Sequence, residues 1–158
     1  MIRSKYRVKI TPVHKAHAAC YGHEMAVDMR EEDKKECEII GIPPEAAVAT
    51  SIEDSKEVYE ARYKGTLLCV FGVAGNAVWC LGTQSVKNHR KALVCIGYSF
   101  IQEVVRKYGE LGNFISKENI PAIRYIENVP GVDLYYEGNV TINGKPFLYF
   151  ELRRKDHV

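Results

Sequence analysis

From Leu93 to Tyr108 a set of apolar and small residues falls at alternating steps of three and one: Leu93, Ile96, Gly97, Phe100, Ile101, Val104, Val105 and Tyr108. A helical period puts all of them on one face. Such a stripe must be buried against another layer. The segments around it supply that layer. Residues 57–63 and 66–73 are strand-like runs joined through Lys64-Gly65, a two-residue hairpin connection. Ala74-Gly75-Asn76 breaks the chain before a third run, residues 77–83. The spacing therefore predicts an antiparallel meander followed by a long helix over residues 87–108. Ser85 is its candidate N-cap and Gly109 its stop.

Beyond the helix, residues 112–116 read as a short strand. Ser116 or Asn119 can cap a further helix with Pro121 in its first turn and Ala122, Ile123, Ile126 and Val129 on its apolar side. Pro130-Gly131 stops it. Two final strand runs, 132–142 and 146–154, meet at Asn143-Gly144, a strong hairpin signal. Toward the N-terminus, Arg7, Val8, Lys9 and Ile10 alternate as a first strand that Pro12 ends. Residues 14–25 are Ala-rich and partly helical. Asp28 and Glu31 have capping-box spacing ahead of a helix over 29–40, and the charged run 30–38 reads as a solvated face. Gly41 stops that helix, and Pro43-Pro44 opens another over 45–52. The order implies one α/β domain built around a single mixed sheet with flanking helices.

Composition narrows the function classes. A length of 158 residues fits one domain, and 46% apolar residues suffice for a core. The 22 Lys+Arg against 20 Asp+Glu leave a net charge of +2, too little for the electrostatic footprint of a nucleic-acid binder. The longest apolar stretch, around residues 66–73, is far short of a membrane span. The opening residues are basic and alternating, not a charged-then-apolar leader, so secretion is not expected. The five cysteines, Cys20, Cys37, Cys69, Cys80 and Cys95, are odd in number and lack CxxC spacing, which suits reduced thiols in a cytosol. His14 and His17 lie three apart without a third ligand nearby, so no metal site is expected.

The element order resembles the GNAT N-acetyltransferase fold. In that family a fourth strand leads through a phosphate-cradling turn into a long helix. A fifth strand and a helix follow, and the fourth and fifth strands splay apart to admit acetyl-CoA. The likeness makes residues 77–83 the fourth strand, 87–108 the long helix and 112–116 the fifth strand. It implies a GNAT-like, mostly antiparallel mixed sheet. Asn119, Ala122, Tyr125 and Gly131 are similar to the family's later motif. A narrower likeness is carried by Asp28-Met29-Arg30-Glu31-Glu32-Asp33-Lys34-Lys35-Glu36-Cys37. This run resembles the N-terminal signature of small GNAT-like proteins in short-tailed bacteriophages. Residues 87–106, Asn113, Asn119, Ile123-Arg124-Tyr125 and Gly131 are similar to the back half of that group. One branch, the internal virion protein A-like family, is linked to virion maturation. The resemblance implies the host cytoplasm or the virion as the setting, with a host or virion protein as a partner.

The same likeness implies acetyl-CoA as cofactor and an amine of a small molecule or protein as acceptor. It assigns Trp79, Cys80 and Leu81 to pairing with the pantetheine arm through main-chain groups; packing of the sheet face is the alternative. Tyr125 takes the place of the general acid, with half-buried packing as the alternative, and Asn119 that of a cofactor-arm hydrogen bond. The family's turn is Arg/Gln-x-x-Gly-x-Gly/Ala. This chain has Gln84 there and no glycine, then Lys87, Asn88, His89, Arg90 and Lys91. Positive side chains at a helix start oppose the helix dipole, and a CoA phosphate would relieve that. A solvated basic turn, or a surface for an acidic partner, is the competing explanation. Residues 77–83 hold no carboxylate, so Glu57 and Glu60 on the preceding hairpin are the candidate bases. The missing glycines and distant bases keep open a catalytically degenerate fold that binds a host protein or acts in virion maturation. The aromatic end, Tyr135, Tyr136, Phe147, Tyr149 and Phe150, packs a sheet or forms a dimer edge.

Overall fold

The structure is a computed structural model and describes residues 7–155. Strands β1 (Lys9–Pro12), β2 (Ser55–Tyr63), β3 (Thr66–Ala74), β4 (Ala77–Gly82), β5 (Glu110–Ser116), β6 (Val132–Ile142) and β7 (Lys145–Arg154) form one sheet in the order β1-β2-β3-β4-β5-β7-β6. All neighbours are antiparallel except β4 and β5. Lys64 and Gly65, and likewise Asn143 and Gly144, have positive φ, as a two-residue hairpin turn requires. Pro12 lies inside β1, opposite Tyr59; β1 is an edge strand, where a missing N–H breaks no ladder.

Helices α1 (Ala18–Val27), α2 (Glu31–Ile40) and α3 (Pro44–Asp54) precede β2, α4 (Arg90–Tyr108) joins β4 to β5, and α5 (Ile120–Glu127) joins β5 to β6. The sheet separates two cores. On one face Ile96, Phe100, Ile101, Val104 and Val105 of α4 meet Phe71, Val73, Leu111 and Leu152. These are the residues of the helical stripe, and each buried one contributes on the order of 1.5–3 kcal/mol. On the other face Met25, Cys37, Val48 and Ile52 from the first three helices meet Val58, Leu67 and Val70.

Two helix starts differ from expectation. Helix α2 begins at Glu31 with Arg30 as its N-cap residue, and the expected Asp28 cap is not made. Asp28 instead gives its carbonyl to Gln84 N–H, and Met29 bridges to Thr83 with its side chain fully buried. A β-like link to the end of β4 has taken the residues a cap would need. The charged run is also not wholly solvated: Asp33 is 3% exposed and Cys37 5%. The long helix starts at Arg90 rather than residue 87, because Gln84–Asn88 winds into a 3-10 turn; His89, not Ser85, is the N-cap residue. Among the described residues no helix is long and apolar enough to cross a membrane.

Candidate functional site

The two edges of β4 are unequal. Toward β3 it pairs from Ala77 to Gly82. Toward β5 it has one bridge, Ala77 with Gly112, where Gly112 N–H donates to Asn76 O at 2.9 Å. The hairpin closes on Ala74 and Ala77, so Ala77, Trp79 and Leu81 bond to β3. Alternation turns the main-chain groups of Val78, Cys80 and Gly82 toward β5, into the gap beyond the bridge.

Side chains replace most of the missing ladder. Asn113 donates Nδ2 to Val78 O at 3.0 Å, and its Oδ1 accepts Phe114 N–H at 2.7 Å. Helix α2 lies across the other end. Asp33 Oδ2 accepts Gly82 N–H at 2.8 Å, Arg30 N–H donates to Gly82 O at 3.0 Å, and Glu36 Oε1 accepts Ser116 N–H at 3.3 Å and Asn119 Nδ2 at 3.1 Å. Spacing of three residues puts Asp33 and Glu36 on one helix face, so one carboxylate holds the end of β4 and the other the end of β5. Between these fastenings no bridge joins Cys80 to β5.

The electrostatics follow from this packing. Burial raises the Glu36 carboxyl, while the Asn119 and Ser116 donors pull it back. Burial also raises Asp33, opposed by the Arg30 guanidinium, whose Nε lies 2.6 Å from Oδ2. On the α4–α5 side Tyr125 leans onto α4. A Cβ built on Gly97 would sit 1.6 Å from the Tyr125 hydroxyl oxygen, so only glycine admits that hydroxyl. The Tyr125 ring lies 5.0 Å from that of Tyr98. Burial pushes the Tyr125 hydroxyl well above its ordinary range, and the nearby Cys80 adds to the rise. It therefore stays protonated at neutral pH.

Cys80 lies opposite Phe71 and so points to the α4 face. Cys80 is exposed. Interaction with the neighbouring Cys69 thiol lowers Cys80 and raises the buried Cys69; burial and Asp33 oppose the fall at Cys80 and Arg30 favours it. Trp79 and Leu81 point the other way, into the second core, where Trp79 Nε1 donates to Ser55 Oγ at 2.8 Å.

The remaining sequence candidates are dispersed. Glu57 and Glu60 lie on β2, separated from β4 by β3. Burial would raise Glu57, but donation from Tyr108, Lys107 and Tyr59 lowers it. Glu60 accepts from Thr11 at 2.9 Å and Arg62 at 2.8 Å. Neither carboxylate faces the gap. Asn119 caps α5 through Ala122 N–H at 3.3 Å and gives its amide to Glu36. At the start of α4, Lys87, Asn88, Arg90 and Lys91 are exposed, and the His89 ring lies 4.4 Å from that of Tyr63. The turn's own N–H groups at Gln84, Val86 and His89 go to Asp28, Thr83 and Val86 carbonyls. The residues that sequence reading missed are Asp33 and Glu36. Their signal, two carboxylates three apart on a helix, is hidden in a run of charges. Among the described residues no cluster of three or more His, Cys, Asp or Glu could hold a metal.

No family model matches the chain, and no curated protein matches it in sequence. Solved structures do match. An acetyltransferase of the GNAT family from Bacillus anthracis superposes with a TM-score of 0.64 at 11% identity, over 96% of this chain and 97% of its own. RimL, a ribosomal L7/L12 alpha-N-protein acetyltransferase in complex with coenzyme A held as a disulfide, gives 0.63 at 8% over 98% of each chain. The aminoglycoside acetyltransferase AAC(6')-Ib in complex with coenzyme A gives 0.59 at 16%, over 93% of this chain and 95% of its own. The class is therefore defined by architecture: a seven-stranded, mostly antiparallel α/β sheet of the GNAT acetyltransferase type.

Proposed function

We propose that the protein is an acetyl-CoA-dependent N-acetyltransferase whose acceptor is an amine of a small molecule or a protein. The observation that carries this reading is the gap between β4 and β5. Beyond the bridge Val78 O and the Gly82 N–H and C=O have partners, and no bridge to β5 forms at Cys80 between them. An unbridged strand edge suits an extended, amide-bearing arm, which pairs as an added strand does. Lys87, Arg90 and Lys91 and the first-turn N–H groups of α4 suit the phosphates at the other end of such a ligand. The acetyl thioester of CoA supplies a carbonyl carbon open to attack by an amine.

The chain's own groups then have distinct tasks. Glu36, at the mouth of the gap, takes the proton from the acceptor's ammonium. Its raised pKa brings a carboxylate closer to the pH at which an amine must be deprotonated. Asn119 positions Glu36. The Cys80 N–H donates to the carbonyl oxygen as charge develops on it. Tyr125, protonated and beside Cys80, donates to the departing sulfur. Trp79 and Leu81 keep β4 seated on the second core. The base thus passes from Glu57 and Glu60 to Glu36.

A thermal-shift titration with acetyl-CoA tests the reading. A ligand at ~100 times its Kd stabilises by about 2.7 kcal/mol, readily visible for a chain of this size. A saturable shift, with Tyr125→Phe lowering kcat far more than KM in an acceptor screen, supports the enzyme.

A second reading is favoured by the start of α4. It has no glycine, and the Gln84, Val86 and His89 N–H groups are consumed internally. On this reading the fold has lost catalysis and binds a host or virion protein, or a second copy of itself. That role fits the phage-like run from Asp28 to Cys37, and edge strand β6 offers Tyr135 and Tyr136, 43% and 44% exposed, as a contact. No shift at millimolar acetyl-CoA would favour it.

A further inference from the structure

Helix α2 sets Glu36 against the end of β5 and leaves part of the sheet beyond it uncovered. Cross-strand register orders that face into rows. Ser116 stands beside Phe147 and Val140, and Phe114 beside Tyr149 and Gly138. Leu111 and Leu152, in the core beneath α4, alternate with them, so both rows face the side of α2. Asn143 Nδ2, in the β6–β7 turn, donates to Ile39 O and ties that turn to the same helix. Phe147 is 1% exposed and Phe114 48%, so the face is closed over one row and open over the next. In the open row the rings of Phe114 and Tyr149 lie 5.0 Å apart, inclined at 58°. A Cβ built on Gly112 would stand 2.9 Å from the Tyr149 hydroxyl oxygen, so that ring leans toward the residue that bridges to β4. Gly138 ends the row, with nothing within 4 Å of where its Cβ would be. The row after it carries Glu151, which Arg153 engages at 2.8 Å, as it does Glu137, with Glu110 at 3.8 Å. Rows on one face are about 7 Å apart. The open apolar strip is thus one aromatic ring wide. Glu36, held at Ser116 one row from Phe114, accepts from Ser116 and Asn119 and has no cation partner among the described residues.

A ring laid on this strip gains aromatic contact, and an ammonium beside it meets a carboxylate that lacks a counter-ion. A polyamine would need several free carboxylates, and Arg153 already engages three. We propose that the acceptor is a primary arylalkylamine, one ammonium on one aromatic ring, and that Phe114 and Tyr149 select it. This deepens the transferase reading and rests on it. Glu36 takes one proton from the ammonium. The amine nitrogen then bonds to the acetyl carbon as the bond from that carbon to sulfur breaks. The sulfur leaves with the electron pair and takes the Tyr125 proton, and the second proton of the nitrogen restores Tyr125. The products are the N-acetyl amide, the CoA thiol and one proton passed by Glu36 to solvent.

The test measures CoA thiol release from acetyl-CoA by the full chain, with phenethylamine, ethanolamine, spermidine and a dipeptide with a free N-terminus as acceptors. The expected kcat/KM is at least ~10-fold higher for phenethylamine than for the other three. Phe114→Ala should raise the KM for phenethylamine roughly 5-fold with kcat little changed, and the KM for ethanolamine far less. Val27→Ser, at an exposed site on α1, should change neither. Melting of Phe114→Ala establishes that the variant is folded. Spermidine, ethanolamine or the dipeptide reacting as well as phenethylamine overturns the proposal and leaves the transferase reading standing. So does a KM that Phe114→Ala raises equally for phenethylamine and ethanolamine. Light scattering adds a check: a dimer that Phe114→Ala dissociates would mean that a second copy covers the strip, and it overturns the proposal. The wild type is titrated with acetyl-CoA in the same series. A thermal shift without turnover of phenethylamine sinks the acceptor class alone. Neither shift nor turnover with any amine sinks both.

Discussion

One strand, β4, has two edges built on opposite principles. Its β3 edge is a continuous antiparallel ladder over two packed cores. Its β5 edge has one bridge, and beyond it Asn113, Asp33 and Glu36 do what main-chain pairing does elsewhere. Main-chain groups left without partners inside a protein are costly. The second edge shows how a sheet stays open with less of that cost: side chains satisfy the strand ends on either side of Cys80.

The contrast can be broken most sharply by chemistry. Glu36→Gln should reduce kcat by about 10²–10⁴-fold while leaving the fold intact, measured by steady-state kinetics alongside a melting curve. Unchanged kcat removes Glu36 from the mechanism. Next is the closed edge. Phe71 is 4% exposed and packs 4.8 Å from the Phe100 ring, so Phe71→Ala should cost about 3–5 kcal/mol in chemical denaturation. The open edge should be gentler. Asn113→Ala gives up bonds to Val78 and Phe114 beside solvent and should cost about 1 kcal/mol. A loss as large as that of Phe71→Ala would mean that the gap is part of the core.

Stability against pH sharpens the same comparison. Burial raises Glu36 above its ordinary value of 4.5. Its contribution is therefore fully present below that value and is lost as pH rises through the raised one. Glu36→Gln should flatten this decline, and an unchanged slope would assign it to another group. The smallest effect belongs to the exposed helix start. Arg90→Ala should weaken CoA about 2- to 5-fold and dephospho-CoA less, by calorimetry. Equal loss for both would move the 3′-phosphate elsewhere.

Much of the fold was legible because periodicity and turn chemistry are local. The stripe from Leu93 to Tyr108, the hairpins at Lys64-Gly65 and Asn143-Gly144 and the Asn119 cap all lie where the residues suggested. The site was legible only in part. Tyr125 and the basic helix start could be marked by likeness to a family. Glu36 lies in the run that carries the narrower likeness but was given no role there, because a carboxylate among charges looks solvated until a distant strand end is brought beside it. Glu57 and Glu60 show the reverse: they look free in the sequence, and Tyr108, Lys107 and Arg62 claim them in space.

The sequence by itself determined which segments are helices and strands and which helix face is buried, since those depend on neighbours a few residues away. Only the tertiary structure decided that β4 would pair fully on one edge and once on the other, and that Asp33 and Glu36 would hold its gap open. Those outcomes depend on polar groups 49 and 80 residues apart along the chain meeting in space, and each unpaired N–H is satisfied by whichever acceptor the packing delivers.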